Sequence, residues 1–216
     1  MDWPEIATFT GITAMYPWAL HRTRRTGIDF PIYLTGPSSG GFVYGHATAP
    51  IWEFFRRIPY QRSLALMVYL TALAGACLVH ETIQIDKDPL FRFAATAFTL
   101  LAVSYSARHG NITAICGALC VTPWGALAAA CFKPYLLLFA ALHAALGNID
   151  TLPFAIASGF VLLAFWPPAR FAERDGNFHR ELTGKESPPP LRRYLLRKDN
   201  TIYIMTICAI CVRWLQ

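Results

Sequence analysis

Apolar runs along the chain are separated by shorter charged stretches. The uncharged runs are residues 6–20, 64–79, 93–107, 110–132, 134–146 and 151–169, and a further apolar run, 201–215, is interrupted only by Arg213. A membrane-crossing helix takes about 20 mostly apolar residues, with about 17 as the lower edge. Runs 64–79 and 93–107 approach that length and 151–169 reaches it, so each predicts a spanning helix. Run 6–20 contains Pro17 and ends at His21. Asp2 and Glu5 precede it without a basic segment, so it reads as a retained first span or an interfacial segment rather than a cleaved signal. Pro123-Trp124-Gly125 breaks run 110–132, because proline removes a backbone donor and clashes with the preceding turn. That break predicts a short helix over 111–122 and a longer one over 124–146. The 201–215 run predicts a short helix that spans or lies flat. The expected fold is all-α, a polytopic transmembrane helix bundle with about six or seven membrane segments.

The polar intervals divide the chain further. Residues 21–63 include the turn-rich Gly36-Pro37-Ser38-Ser39-Gly40-Gly41. Within the same interval, 51–58 combines aromatic residues with Arg56-Arg57, the pattern of a helix lying on a membrane surface. Residues 170–200 carry mixed charge and the triplet Pro188-Pro189-Pro190, and read as a solvated linker. The domain reading is therefore a transmembrane domain over 1–169 with a loop at 21–63, a linker over 170–200, and a C-terminal membrane or interfacial helix over 201–216. The chain carries no internal repeat and no low-complexity tract.

Composition sharpens this picture. Hydrophobic residues make up 55% of the 216 positions and charged residues 15%, against about 25% charged in soluble domains. Mean hydropathy is +0.36. The net charge of +6 comes from basic residues that flank apolar runs. They form no single stripe, so nucleic acid is not an expected partner. All of Cys77, Cys116, Cys120, Cys131, Cys208 and Cys211 lie within apolar runs, which argues against a secreted disulfide framework and for packing. Cys208 and Cys211 form a CxxC without a second pair, and no metal site or cofactor is expected.

Lysine and arginine set the expected topology. Eight of them fall within 170–200, which places that segment in the cytoplasm. Counting back through the expected spans puts 21–63 outside, together with Arg22, Arg24, Arg25, Arg56, Arg57 and Arg62. This opposes the positive-inside rule, and either the span count differs or these arginines are held outside for function.

The candidate chemistry lies in a series of short motifs: Asp29-Phe30 with Tyr33, Phe42-Val43-Tyr44 followed by His46, Ala49-Pro50, then Arg108-His109-Gly110-Asn111 and Lys133-Pro134. In this order, over residues 28–146, the chain resembles polyprenol-phosphate-dependent membrane glycosyltransferases of the GT-C fold, GT87 type, which include bacterial mannosyltransferases. Their G-Q-x-N motif is matched here by Gly110-Asn111 without the Gln. Chains of that family are generally longer, with more spans after the Lys-Pro region. The resemblance implies a GT-C-like N-terminal part and transfer of a mannose-type sugar from a polyprenyl-phosphate donor. It implies Asp29 as general base. It further implies Tyr33, Tyr44, His46, Arg56, Arg57, His109, Asn111 and Lys133 as substrate-binding residues, with arginine or histidine against the lipid phosphate. The expected location is a bacterial inner (plasma) membrane. Read from the residues alone, Asp29 equally serves as a turn or capping residue, Arg56 and Arg57 as headgroup contacts, and Lys133 as a helix-end residue if the helix breaks at Pro134.

A competing expectation is a non-catalytic membrane subunit binding an anionic lipid or a partner membrane protein. Its close-packing surface would be Gly117-Ala118, Gly125-Ala126 and Ala128-Ala129-Ala130. A bis-histidine haem site drawn from His80, His109 and His143 would need two of them facing each other at one depth, and their spacing offers no such pair.

Overall fold

The computed structural model describes residues 2–26, 30–35, 48–147, 151–164 and 200–215, and all regular structure among them is helical. Asp29, Tyr44, His46 and most of the expected 170–200 linker lie outside the described residues.

Two long helices form the frame. Helix α5 (Tyr60–Ile83, 24 residues) and helix α6 (Pro89–His109, 21 residues) are an antiparallel pair. They are about 36 and 31 Å long, against a hydrocarbon core of about 30 Å. Both are long and apolar enough to cross a membrane. Their connection is closed by Asp88, whose carboxylate accepts from the backbone N–H groups of Leu90 and Phe91, with Pro89 in the first turn.

Residues 6–20 do not form one helix. The chain bends at Ala14-Met15 between α1 (Trp3–Thr13) and α2 (Tyr16–Thr26), and Pro17 sits in the first turn of α2, where its missing N–H costs nothing. Together the two halves follow the long pair from end to end. At one end Asp2 pairs with Arg92 at 2.6 Å and buried Glu5 pairs with His80 at 2.6 Å. At the other, the Arg108 guanidinium lies 4.5 Å from the centre of the Trp18 ring. Between them Gly75 admits Ile12 and Thr8 of α1 and Val103 of α6, all within 3.3 Å of where a Cβ would stand.

The 21–63 interval is partly helical, with α3 (Phe30–Thr35) and α4 (Ala49–Arg57). Helix α4 buries Trp52 and Phe55 and exposes Arg56 and Arg57, but Ile51 and Phe54 are exposed as well, so the expected separation of aromatics from arginines is only partial. Beyond α6 come α7 (Thr113–Leu119) and α8 (Pro123–Phe132), then a 3-10 turn (Pro134–Leu136) leading into α9 (Leu137–Ala145). The expected continuous helix over 124–146 is thus interrupted at Lys133-Pro134. Next are α10 (Thr151–Ala164) and, at the C-terminal end, α11 (Asn200–Leu215).

Apart from α5 and α6, the apolar helices among the described residues are shorter, and Pro123–Phe132, Pro134–Ala145, Leu152–Val161 and Thr201–Cys211 fall within 10–17 residues. Helix length is therefore sufficient for two crossings rather than the six or seven expected. Large apolar side chains nevertheless point outward, with Leu101, Leu138, Leu152 and Phe160 each at least 70% exposed. The cysteines divide as well: Cys116 and Cys120 are buried as expected, while Cys77, Cys208 and Cys211 lie on exposed helix faces.

Candidate functional site

The site grows from two breaks in the helical chain. At the first, α6 ends on Gly110 with φ +59°, and the Asn111 N–H returns to the Ser106 carbonyl at 2.8 Å. This is the left-handed closure that glycine favours. Glycine is required for a second reason, since a Cβ there would stand 2.6 Å from Cβ of Phe30. Asn111 then starts α7 with a side-chain turn: its Oδ1 accepts from the backbone N–H of Thr113 at 2.8 Å and from the Thr113 hydroxyl at 2.6 Å.

At the second break, Pro134 drives the residue before it out of the helical region. Lys133 accordingly has φ −134° and ψ 103°. Its side chain runs inward, and Nζ donates to Thr113 Oγ1 at 2.7 Å. Lys133, Thr113 and Asn111 are all buried. The result is a chain of hydrogen bonds from ammonium to hydroxyl to amide, linking positions twenty residues apart. Among the described residues Thr113 is the ammonium's one hydrogen-bond partner, and no carboxylate faces it. A buried ammonium has three donors to satisfy. A buried charge is ordinarily paired.

An aromatic cluster fixes α3 beside both breaks. Phe30 packs on Gly110 and meets Phe55 and Tyr60 edge to face. Tyr33 lies on Trp52 with ring centres 4.8 Å apart, and Trp52 meets Phe132, the neighbour of Lys133, at 6.0 Å. The Trp52 indole N–H donates to Thr48 Oγ1 at 3.1 Å, which satisfies its one polar atom.

The structure thus brings Tyr33, Asn111 and Lys133 into one region, with Tyr33 buried in the aromatic cluster. Arg56 and Arg57 lie on the exposed face of α4 and pair with Glu53 at 2.9 and 3.9 Å. His109 is buried, with its ring against Tyr105 at 4.3 Å and Nδ1 on the Tyr105 carbonyl at 2.8 Å. His80 is held by Glu5, and His143 Nε2 contacts the Cys120 carbonyl at 2.9 Å. No two of these three histidines contact each other, and among the described residues no group of three or more potential metal ligands forms.

Sequence reasoning missed Thr113, the link of the site. Its local signal is the Asn-x-Thr spacing of a side-chain turn, but its contact with Lys133 is tertiary. Of the small residues expected as a partner surface, Gly117 is covered from within the chain by Ile202 and Thr206 of α11, and the Thr206 hydroxyl donates to the Gly117 carbonyl at 3.2 Å.

Fold and site together define a chain that is all-helical among its described residues, with two helices of membrane-crossing length and a cation buried where two helices break. The chain matches no protein-family model, no curated protein and no solved structure.

Proposed function

We propose that this chain is a membrane glycosyltransferase that moves a sugar, of mannose type, from a polyprenyl-phosphate donor to an acceptor hydroxyl. The observation that carries the reading is the hydrogen-bond chain from Lys133 through Thr113 to Asn111. The Gly110-Asn111 and Lys133-Pro134 motifs are separate in sequence and meet in space. Phe30, which follows Asp29, packs on Gly110 at the same junction.

In this reading Asp29 takes the proton of the acceptor hydroxyl as its oxygen attacks the sugar C1. The bond between C1 and the phosphate oxygen breaks, and polyprenyl phosphate leaves with the bonding electron pair. The Lys133 ammonium supplies positive charge in a low-dielectric setting, where charge-assisted hydrogen bonds to phosphate are strongest. Asn111 and Thr113 hold that ammonium in place. The bilayer is the expected location: α1 and α2 follow the α5–α6 pair end to end, and the outward apolar side chains of α6, α9 and α10 suit lipid better than water. A multi-pass arrangement follows if α1–α2 crosses as a bent pair and the short helices α7 to α10 cross as broken ones, which is tolerated where neighbouring helices satisfy the freed backbone groups.

The test is transfer from a labelled polyprenyl-phosphate sugar by the purified full chain. Asp29→Ala should lower the rate by about 10²–10⁴-fold, the usual contribution of a general base. Equal rates in wild type and variant would remove Asp29 as base, and no transfer by wild type to any supplied acceptor would leave the chain a lipid-binding subunit.

A further inference from the structure

A second polar group, remote in role from the Lys133 junction, lacks a counterpart among the described residues. Arg108 stands in the last turn of α6. Trp18 covers one face of its guanidinium at 4.5 Å, and Nε is buried without a hydrogen-bond partner. Among the described residues no carboxylate pairs with it. Guanidinium has five donors in its plane, and stacking on an aromatic ring satisfies none of them.

The space beside it has a definite character. A cavity of about 320 Å³ opens between α6 and α11, lined by Phe98, Leu101, Ala102, Ser104, Tyr105 and Arg108 of α6 and by Thr201 of α11. Phe98, Leu101, Tyr105 and Arg108 recur at three- and four-residue steps, so they form one face of α6. That face is apolar for about 10–15 Å before it reaches the charge. Leu101 is 75% exposed, and nothing else in the described chain covers it. With α6 across a bilayer, Arg108 and Trp18 sit at its end, the headgroup level that arginine and tryptophan favour, while Leu101 and Phe98 lie at acyl-chain depth.

We infer that this groove is a binding site for one anionic glycerophospholipid, its phosphate on Arg108 and an acyl chain along Tyr105, Leu101 and Phe98. Charge complementarity selects the headgroup: guanidinium pairs with a phosphate through two parallel N–H···O bonds. The apolar length selects a lipid over free phosphate, which would leave Leu101 and Phe98 uncovered. The site requires the chain to lie in a bilayer and is independent of sugar transfer.

The experiment uses the full chain in phosphatidylcholine nanodiscs doped with phosphatidylglycerol that carries a photoreactive group in its acyl chain. Labelling should fall on the α6 peptide containing Phe98 and Leu101. Arg108→Gln should lower the yield about tenfold, the scale of one charge-assisted pair. Leu101→Trp fills the groove at an exposed position without touching the charge, and should lower it as well. Excess inorganic phosphate should leave the yield unchanged. The inference is overturned by equal labelling of wild type and both variants, by equal labelling from photoreactive phosphatidylcholine, or by displacement with inorganic phosphate. Preferential displacement by a polyprenyl phosphate would also overturn it, by assigning the groove to another lipid. None of these readings involves sugar transfer, so their failure leaves the catalytic proposal standing.

Discussion

Lys133 and Thr113 are twenty residues apart and hydrogen-bonded at 2.7 Å, ammonium to hydroxyl, with both side chains buried. A buried cation costs more in desolvation than one neutral hydroxyl returns. Its retention is therefore easier to explain by a ligand than by stability, and the two explanations separate on mutation. Lys133→Met keeps the volume and removes the charge, so thermal stability in detergent should stay within about 1 kcal/mol of wild type or rise. Transfer from the lipid-linked sugar should fall about 10²-fold or more, as when a charge-stabilising donor is removed from a site. Thr113→Val strands the ammonium and should cost roughly 1–3 kcal/mol in stability. A large stability loss in Lys133→Met with activity intact would make the lysine a structural strut.

Gly110 offers a controlled test of the first helix break. Its φ is +59°, and a Cβ would collide with Phe30. Gly147 has φ +71° and, among the described residues, no atom within 4 Å of its Cβ position. Gly147→Ala pays for backbone strain alone, about 1 kcal/mol. Gly110→Ala pays for strain and for displacing α3, and should cost roughly 2–4 kcal/mol. Thermal unfolding of the two variants isolates the Phe30 contact by difference, and equal losses would mean that α3 gives way freely.

The long helices were legible in the sequence because runs 64–79 and 93–107 are uncharged and flanked by polar residues. The interruption at Pro123 was legible for the same local reason, whereas the two-sided character of 51–58 was legible only in part, since Ile51 and Phe54 are exposed with the arginines. The break at Lys133-Pro134 was open to two readings, since a lysine in an apolar run is either a helix end or a ligand position, and the structure places it at the end of α8. The bend at Ala14-Met15 carries only Pro17 as a signal, and proline in a first turn looks like proline within a span until the turn is known. The pairing of Arg56 and Arg57 with Glu53 follows from three- and four-residue spacing on one helix. The contact of Thr113 with Lys133 depends on how α7 and α8 fold back on each other, which no local pattern encodes. Span count was the weakest inference, because short apolar runs fix neither helix length nor depth.

Glu5 and His80 hold the amino-terminal helix to α5. The carboxylate side chain is 7% exposed and the imidazole 54%. Solvent at the histidine limits the pair to roughly 1 kcal/mol of coupling, which a double-mutant cycle of Glu5→Gln and His80→Ala would read in thermal unfolding. Loss of the pair should first loosen α1, so limited proteolysis near Trp3–Thr13 should accelerate before the global transition moves. Coupling near zero would assign the position of α1 to the packing at Gly75 and the Asp2–Arg92 pair.

Pro134 gives the sharpest test of whether helix geometry or mere proximity aims Lys133. The extended backbone at Lys133 follows from the proline after it. Pro134→Ala restores a backbone donor and permits α8 to run on toward Leu137. Continuing the helix turns the Lys133 side chain away from Thr113, because each added helical residue rotates the direction by about 100°. Stability should fall by roughly 1–3 kcal/mol, as in Thr113→Val, less what alanine's better helix propensity returns. Sugar transfer should drop as far as in Lys133→Met. Retained transfer in Pro134→Ala together with lost transfer in Lys133→Met would mean that the ammonium finds its position without the break. In that case the charge is what the site needs, and the unwound backbone belongs to the packing of α8 on α9.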